Sequence, residues 1–345
     1  MINDDNPLPK LVFLIGYPRS GTTWLMWLLS HHPEIVGCNH AGFFHAIRPL
    51  ETWWTAADKF GKNVHIFTGD GQGGEQYQRL HLKDALADVP PRESFRAAGW
   101  DVFRAIARTK PGAGIVLEQT PENMLFTETI LNVFPEAYFL HAIRDPRAIV
   151  ASMREAVETW ANPLDFLTNP VQIAGKWSWY QELGRSLAAR TPNYRAVQYE
   201  ALKGDGISTL MGIFDWLGIA CTEELARAYL EASTLDRMKS EEGLMPRGFF
   251  RKGKAQGWQE ELSAGQVRAV EHIAGDWMKE LGYERVYLAG RVPPAVRRYH
   301  FGLRVRTFFS EGTRPALKKA FQRNRALKWA LTRVRSIQLT LQRMK

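Results

Sequence analysis

Short apolar runs alternate along this chain with segments of helical period. Residues 11–17 (LVFLIGY), closed by Pro18, read as a buried strand. Residues 22–31 are apolar all round, the pattern of a buried helix, which His32-Pro33 stops. The alternation then repeats. Residues 114–120 (GIVLEQT) predict a second strand and 124–134 a helix ended near Pro135. Residues 138–144 (YFLHAIR) predict a third strand, followed by a helix over 146–157 with proline in its first turn. A fourth strand falls at 194–199 (YRAVQY) and helices at 210–217 and 223–232. Residues 240–258, rich in glycine and charge, read as a loop, and 263–281 as an amphipathic helix capped by Ser263. This order predicts an α/β fold: a parallel β-sheet with helices on both faces. Residues 48–110 fit the alternation poorly. They hold Trp53, Trp54, a GDGQGG run at 69–74 and a helix candidate near 93–108. They are expected to form an insertion at the sheet's carboxyl edge, where ligands bind in such folds.

Composition adds a globular class and a basic tail. The 345 residues are 45% hydrophobic and 12% aromatic, enough for a sizeable core. Two cysteines, Cys38 and Cys221, make neither a disulfide framework nor a metal cluster, which predicts a reducing compartment. No apolar run reaches the ~18 residues of a membrane span. The expected location is cytoplasmic, at most peripheral to a membrane. The net charge of +9 is unevenly spread. Of the 45 Lys and Arg, 15 lie in residues 291–345 beside one acid, Glu311, so this stretch carries +14. The other 30 bases stand against 35 acids, so residues 1–290 carry −5. After Pro293-Pro294, Leu317, Phe321, Leu327, Leu331, Val334, Ile337 and Leu341 recur at mostly three- or four-residue spacing among Lys and Arg. This predicts a basic amphipathic C-terminal helix. Three roles stay open for it: lying on an anionic membrane, packing on its own domain or a second subunit of a homo-oligomer, or binding a polyanion. Nucleic acid is the least favoured partner.

The most informative stretch is Gly16-Tyr17-Pro18-Arg19-Ser20-Gly21-Thr22-Thr23-Trp24, between a strand and a helix. Unpaired N–H groups at such a helix start face an anion. Gly21 lets the backbone come close, Ser20, Thr22 and Thr23 add hydroxyls, and Arg19 adds a cation. Nucleotide triphosphatase loops carry lysine after the last glycine, whereas this chain has Thr22, and no strand ends in an aspartate suited to Mg²⁺. A sulfuryl group carries less charge than a terminal phosphoryl group, so its transfer can rely on N–H groups and one cation without a metal.

YPRSGTTW resembles the 5′-phosphosulfate loop of the PAPS-dependent sulfotransferase superfamily, with arginine at position 19 as in the protein-tyrosine enzymes. Arg144-Asp145-Pro146-Arg147 with Ser152 resembles the segment that grips the 3′-phosphate. Arg251-Lys252-Gly253, followed by Gly257-Trp258, resembles the RKG loop that closes over the same phosphate. Tyr199-Glu200 matches a pair whose tyrosine contacts adenine. The resemblance spans roughly residues 11–285. It implies a P-loop-type domain over residues 1–290 that takes 3′-phosphoadenosine-5′-phosphosulfate (PAPS) as donor and releases PAP. The donor would be held by Arg19, Ser20, Gly21, Thr22, Thr23, Trp24, Arg144, Ser152, Tyr199, Arg251, Lys252 and Gly253, with no metal. The acceptor the resemblance implies is a hydroxyl or amine, and a small molecule, lipid, sugar or peptide all stay open as its carrier.

The general base is less plainly written. Where cytosolic members carry a KTH run, and bacterial and Golgi-type relatives often a lysine, this chain has Gln119-Thr120-Pro121. In the protein-tyrosine enzymes the base is a glutamate 21 residues after the loop arginine, beyond a His-Pro pair. Here His32-Pro33 is present and His40 stands at that spacing. A neutral imidazole is a competent base near neutral pH. The candidates in order are His40 and Glu118, then His45 and Glu122. Arg19 is the catalytic cation, able to fork onto two oxygens. A nucleotide-dependent kinase and a nucleotide-binding module without catalysis are the alternative readings.

Overall fold

In a computed structural model, residues 8–44, 47, 63–69, 75–81, 91–159, 167–234, 237, 256–287, 292–294 and 296–297 are described. The chain divides into two compact units, Met1–Val286 and Tyr287–Lys345, and every element named here belongs to the first. His45, Trp53, Trp54, Arg251, Lys252, Gly253 and nearly all of the basic tail lie outside the described residues.

Five strands form the main sheet: β1 (Lys10–Gly16), β2 (Ile35–Asn39), β5 (Ile115–Gln119), β6 (Tyr138–Ile143) and β7 (Tyr194–Gln198). Their order is β2-β5-β1-β6-β7 and each neighbouring pair is parallel. A separate antiparallel pair, β3 (Asn63–Gly69) and β4 (Glu75–His81), follows β2 in the chain. The sheet is parallel because crossover helices return the chain to the same edge: α1 (Thr22–Ser30) joins β1 to β2, and α2 (Pro91–Arg108) precedes β5. A 3₁₀ turn (Pro121–Phe126) and α3 (Thr127–Val133) lead to β6. α4 (Pro146–Thr159) and α5 (Pro170–Ala188) lead to β7. Then come α6 (Tyr199–Gly204), α7 (Gly206–Leu217), α8 (Glu223–Ala232), α9 (Trp258–Glu261) and α10 (Ala264–Glu280).

From Leu11 to Gly16 β1 is uninterrupted apolar sequence because both its faces are covered. Alternate residues point opposite ways. Val12 and Leu14 join Leu25, Leu28 and Leu29 of α1 and Phe214 of α7 in one core. Phe13 meets Phe44, Phe103 and Phe139 at ring distances of 5.5, 6.0 and 5.8 Å.

The structure revises several boundaries. Residues 91–108 are not part of an insertion: α2 packs on β2, β5 and α3, with Phe103 fully buried. The helix expected over 124–134 begins as a 3₁₀ turn, because Pro121 starts the coil three residues earlier. Tyr199 opens α6 instead of closing β7. β2, the β3–β4 pair and α5 had no counterpart in the sequence reading. Ser263 caps α10 in a reciprocal capping box with Gln266.

A buried charged cluster ties the carboxyl end of β6 to α10. Arg147 forks onto Asp145 (3.0 and 2.7 Å) and bonds Glu271 at 2.7 Å, with its guanidinium 4.0 Å from the Trp258 ring centre. Glu200 accepts from the Asp145 N–H at 3.1 Å and from the Tyr283 hydroxyl at 2.9 Å. Arg147 is thus placed as a structural clamp behind Arg144.

Candidate active site

The carboxyl ends of β1, β5, β6, β7 and β2 carry the described candidates for the site, as parallel sheets favour. After Gly16 the chain turns through Tyr17–Gly21 into α1. Gly21 is left-handed, with φ 86°. A Cβ there would lie 2.6 Å from the Tyr199 ring, so both conformation and space demand glycine. No side chain caps α1, and its first backbone bond runs from the Leu25 N–H to the Gly21 carbonyl. The first-turn N–H groups are therefore free of intrahelical partners, and a helix start of this kind attracts anions. Ser20 is 2% exposed, and its hydroxyl has no hydrogen-bond partner among the described residues. An orphaned buried hydroxyl is suited to a ligand oxygen.

Arg19 also adopts left-handed backbone, φ 72°. Its Nε donates to Ser152 Oγ at 3.0 Å, and its carbonyl accepts from Arg144 Nη1 at 3.1 Å. Ser152 sits in α4 two turns beyond Arg144 and is buried. The Arg144 guanidinium lies 4.4 Å from the Tyr199 ring centre, and its carbonyl accepts from Trp177 Nε1 at 3.0 Å. Tyr199 and Trp24 meet edge to face at 5.3 Å, with the Trp24 indole N–H donating to the Ser233 carbonyl. Arg19, Ser152, Arg144, Tyr199 and Trp24 are thereby brought into one connected group. Thr22 is buried and Thr23 half-buried beside it.

His40 follows β2 and is exposed, again left-handed at φ 55°. Its N–H donates to the Gln119 carbonyl at 3.0 Å, which anchors it to the end of β5. The next residue, Ala41, donates its N–H to Glu118 Oε1 at 3.2 Å. Glu118 is 3% exposed and also accepts from Thr120 Oγ1 and Asn123 Nδ2, each at 2.5 Å. Burial pushes its carboxyl up to about 7; Glu122 adds to the rise, and the three hydrogen bonds oppose it. Glu122 is half-buried near Tyr180, whose ring stands 5.1 Å from that of Tyr17. Burial raises both phenols above their usual range.

Sequence reasoning missed the partners that hold these groups: Thr120 and Asn123 on Glu118, Gln119 on Thr22, and Trp177 on Arg144. The EQTPEN run, with donors two and five residues after the glutamate, is the one local signal for them. Among the described residues there is no group of three or more His, Cys, Asp or Glu arranged to hold a metal ion.

The chain is similar in sequence to several known proteins. The nodulation protein NoeE of Sinorhizobium fredii is 29% identical over 164 residues, covering 47% of this chain and 35% of that protein. The protein-tyrosine sulfotransferase of Drosophila melanogaster is 22% identical over 181 residues, covering 48% and 32% respectively. The chain thus spans about a third of the length of these curated relatives. Among solved structures, mouse sulfotransferase SULT7A1 complexed with PAP aligns over 79% of this chain and 86% of its own, at 15% identity and a TM-score of 0.49. The sulfotransferase family model matches residues 9–223, well over half of the chain, and the chain belongs to that family.

Proposed function

We propose that this protein transfers a sulfuryl group from PAPS to a hydroxyl or amine of an acceptor. One observation carries the reading. Among the described residues, the two non-glycine positions with positive φ are Arg19 and His40, the cation and the base of the proposed reaction. Such backbone persists where the surroundings over-determine it, and it clusters at active sites.

In this reading the α1 N-terminus, Ser20, Thr22 and Thr23 receive the 5′-phosphosulfate, Arg144 and Ser152 the 3′-phosphate, and Trp24 and Tyr199 the adenine. Arg251, Lys252 and Gly253 complete the 3′-phosphate site. The acceptor's oxygen or nitrogen forms a bond to sulfur while the bond from sulfur to the bridging phosphate oxygen breaks. The electron pair leaves with PAP, where Arg19 steadies it. The acceptor proton passes to the His40 imidazole. Glu118, with both oxygens engaged, holds the Ala41 turn and thus His40 in place; it is a positioning residue in this scheme. The test is His40→Ala, assayed by PAP release with a cellular extract as acceptor source. Turnover should fall by about 10²–10⁴ while PAP affinity stays near wild type. Near-normal turnover passes the role of base to Glu118.

A further inference from the structure

Gln119 stands where much of the family carries a lysine, so its side chain cannot supply the charge. The structure gives it a different task. It ends β5 between Leu14 of β1 and Asn39 of β2, and is 1% exposed. Its Nε2 donates to Thr22 Oγ1 at 3.0 Å, across 97 residues of sequence. Thr22 is the first residue of α1 and is itself 4% exposed. Gln119 Oε1 is buried with no hydrogen-bond partner among the described residues, so the amide's hydrogen bond within the described residues is the one to Thr22.

A threonine hydroxyl has one proton to give and lone pairs to receive. Because the amide N–H occupies a lone pair, the Thr22 proton is left to point elsewhere. A hydroxyl that is already accepting is a better donor, since linked hydrogen bonds polarise one another. The neighbouring acceptor in the proposed complex is the phosphosulfate at the α1 N-terminus. We infer that Gln119 is a positioning residue for the sulfuryl donor: its amide fixes Thr22 with the hydroxyl proton facing the anion. A neutral residue thus strengthens anion binding without touching the anion. This rests on the sulfuryl-transfer reading.

The test is a double-mutant cycle on PAP affinity by calorimetry, which needs no acceptor. Gln119→Met keeps the volume and removes the amide; Thr22→Val keeps the shape and removes the hydroxyl. Each should weaken PAP by about 10-fold, and the double variant should bind no worse than the weaker single one, because both remove the same donor. Thr22→Ser should restore most of the affinity. Adenosine 3′-phosphate, which lacks the 5′-phosphate, should bind all of them alike; parallel losses on that ligand would reveal general damage and overturn the inference. Additive losses, or wild-type PAP affinity in Gln119→Met, would also overturn it while leaving the sulfuryl-transfer reading intact. A wild-type protein that does not bind PAP sinks both.

Discussion

Left-handed backbone costs a non-glycine residue about 1–2 kcal/mol, and this chain accepts it at Arg19 and His40. The neighbouring hydroxyl of Ser20 is buried without a partner among the described residues. Strain and an unmet hydrogen bond coincide at one sheet edge, where a ligand would supply the missing contacts. Arg144 offers a sharp test there. Arg144→Ala removes a charge-assisted bond from a partly buried anion and should weaken PAP by about 2–4 kcal/mol. Adenosine 5′-phosphosulfate, which lacks the 3′-phosphate, should bind wild type and variant alike in the same titration. Equal losses would make Arg144 a support for the Arg19 carbonyl and the Tyr199 ring, both of which it touches. The strand–turn–helix junction at residues 16–24 was legible because its signals lie in consecutive residues. The Gln119–Thr22 bond was not, since nothing local in either segment announces the other. Glu118 shows the same limit: its sequence position does not announce that Thr120, Asn123 and the Ala41 N–H all donate to its carboxylate.

Elements were legible where one signal dominated. β1, β5, β6 and β7 are apolar runs between breakers, and each lies within a residue of its expected bounds. β2 was missed because IVGCN is short and ends polar; pairing with β5 defines it. Without it, residues 91–108 lost their place as a crossover helix. α5 buries Val171, Ile173, Ala174, Trp177 and Tyr180 on several sides, so no clean stripe marks it, although Asn169-Pro170 is a cap followed by a first-turn proline. The β5 end also makes a pH prediction. With Glu118 raised from 4.5 to about 7, the native state binds its proton more tightly than the unfolded chain does. Its contribution is therefore complete below about pH 4.5 and lost as pH climbs through about 7, on the order of 3 kcal/mol. Buried His141 acts in the opposite sense: burial lowers it to about 3, so its share is lost as pH falls below about 6.5. Between about pH 4.5 and 6.5 their opposite pH slopes nearly cancel in the wild type. Urea unfolding of wild type and Glu118→Gln at several pH values separates them, and the stability gap should change by about 3 kcal/mol between pH ~4 and ~8. A constant gap would contradict the burial account of Glu118.

Over the whole molecule, charge divides the chain more sharply than any motif does. Residues 1–290 carry −5 and residues 291–345 carry +14. We propose that the first part is the catalytic domain and the second a basic tail that meets an anionic membrane surface; no helix among the described residues is long and apolar enough to cross a bilayer. Truncation after Gly290 should leave a protein that binds PAP with unchanged affinity and no longer pellets with anionic vesicles at low salt. Each basic residue near such a surface contributes about 1 kcal/mol, screened over about 8 Å at physiological ionic strength. Equal pelleting of both forms would assign the tail to its own domain or a second subunit instead. The tail's period was readable, but its partner was not, because a basic apolar stripe suits a lipid surface and a protein groove equally. The central claim, that the loop after β1 and the ends of β6 and β7 form a PAPS site, is tested most directly by calorimetric titration of the full chain with PAP in EDTA, beside ATP with Mg²⁺. The account predicts tight, metal-independent binding of PAP and weak binding of ATP. Loss of PAP binding in EDTA, or preference for ATP with Mg²⁺, would contradict it.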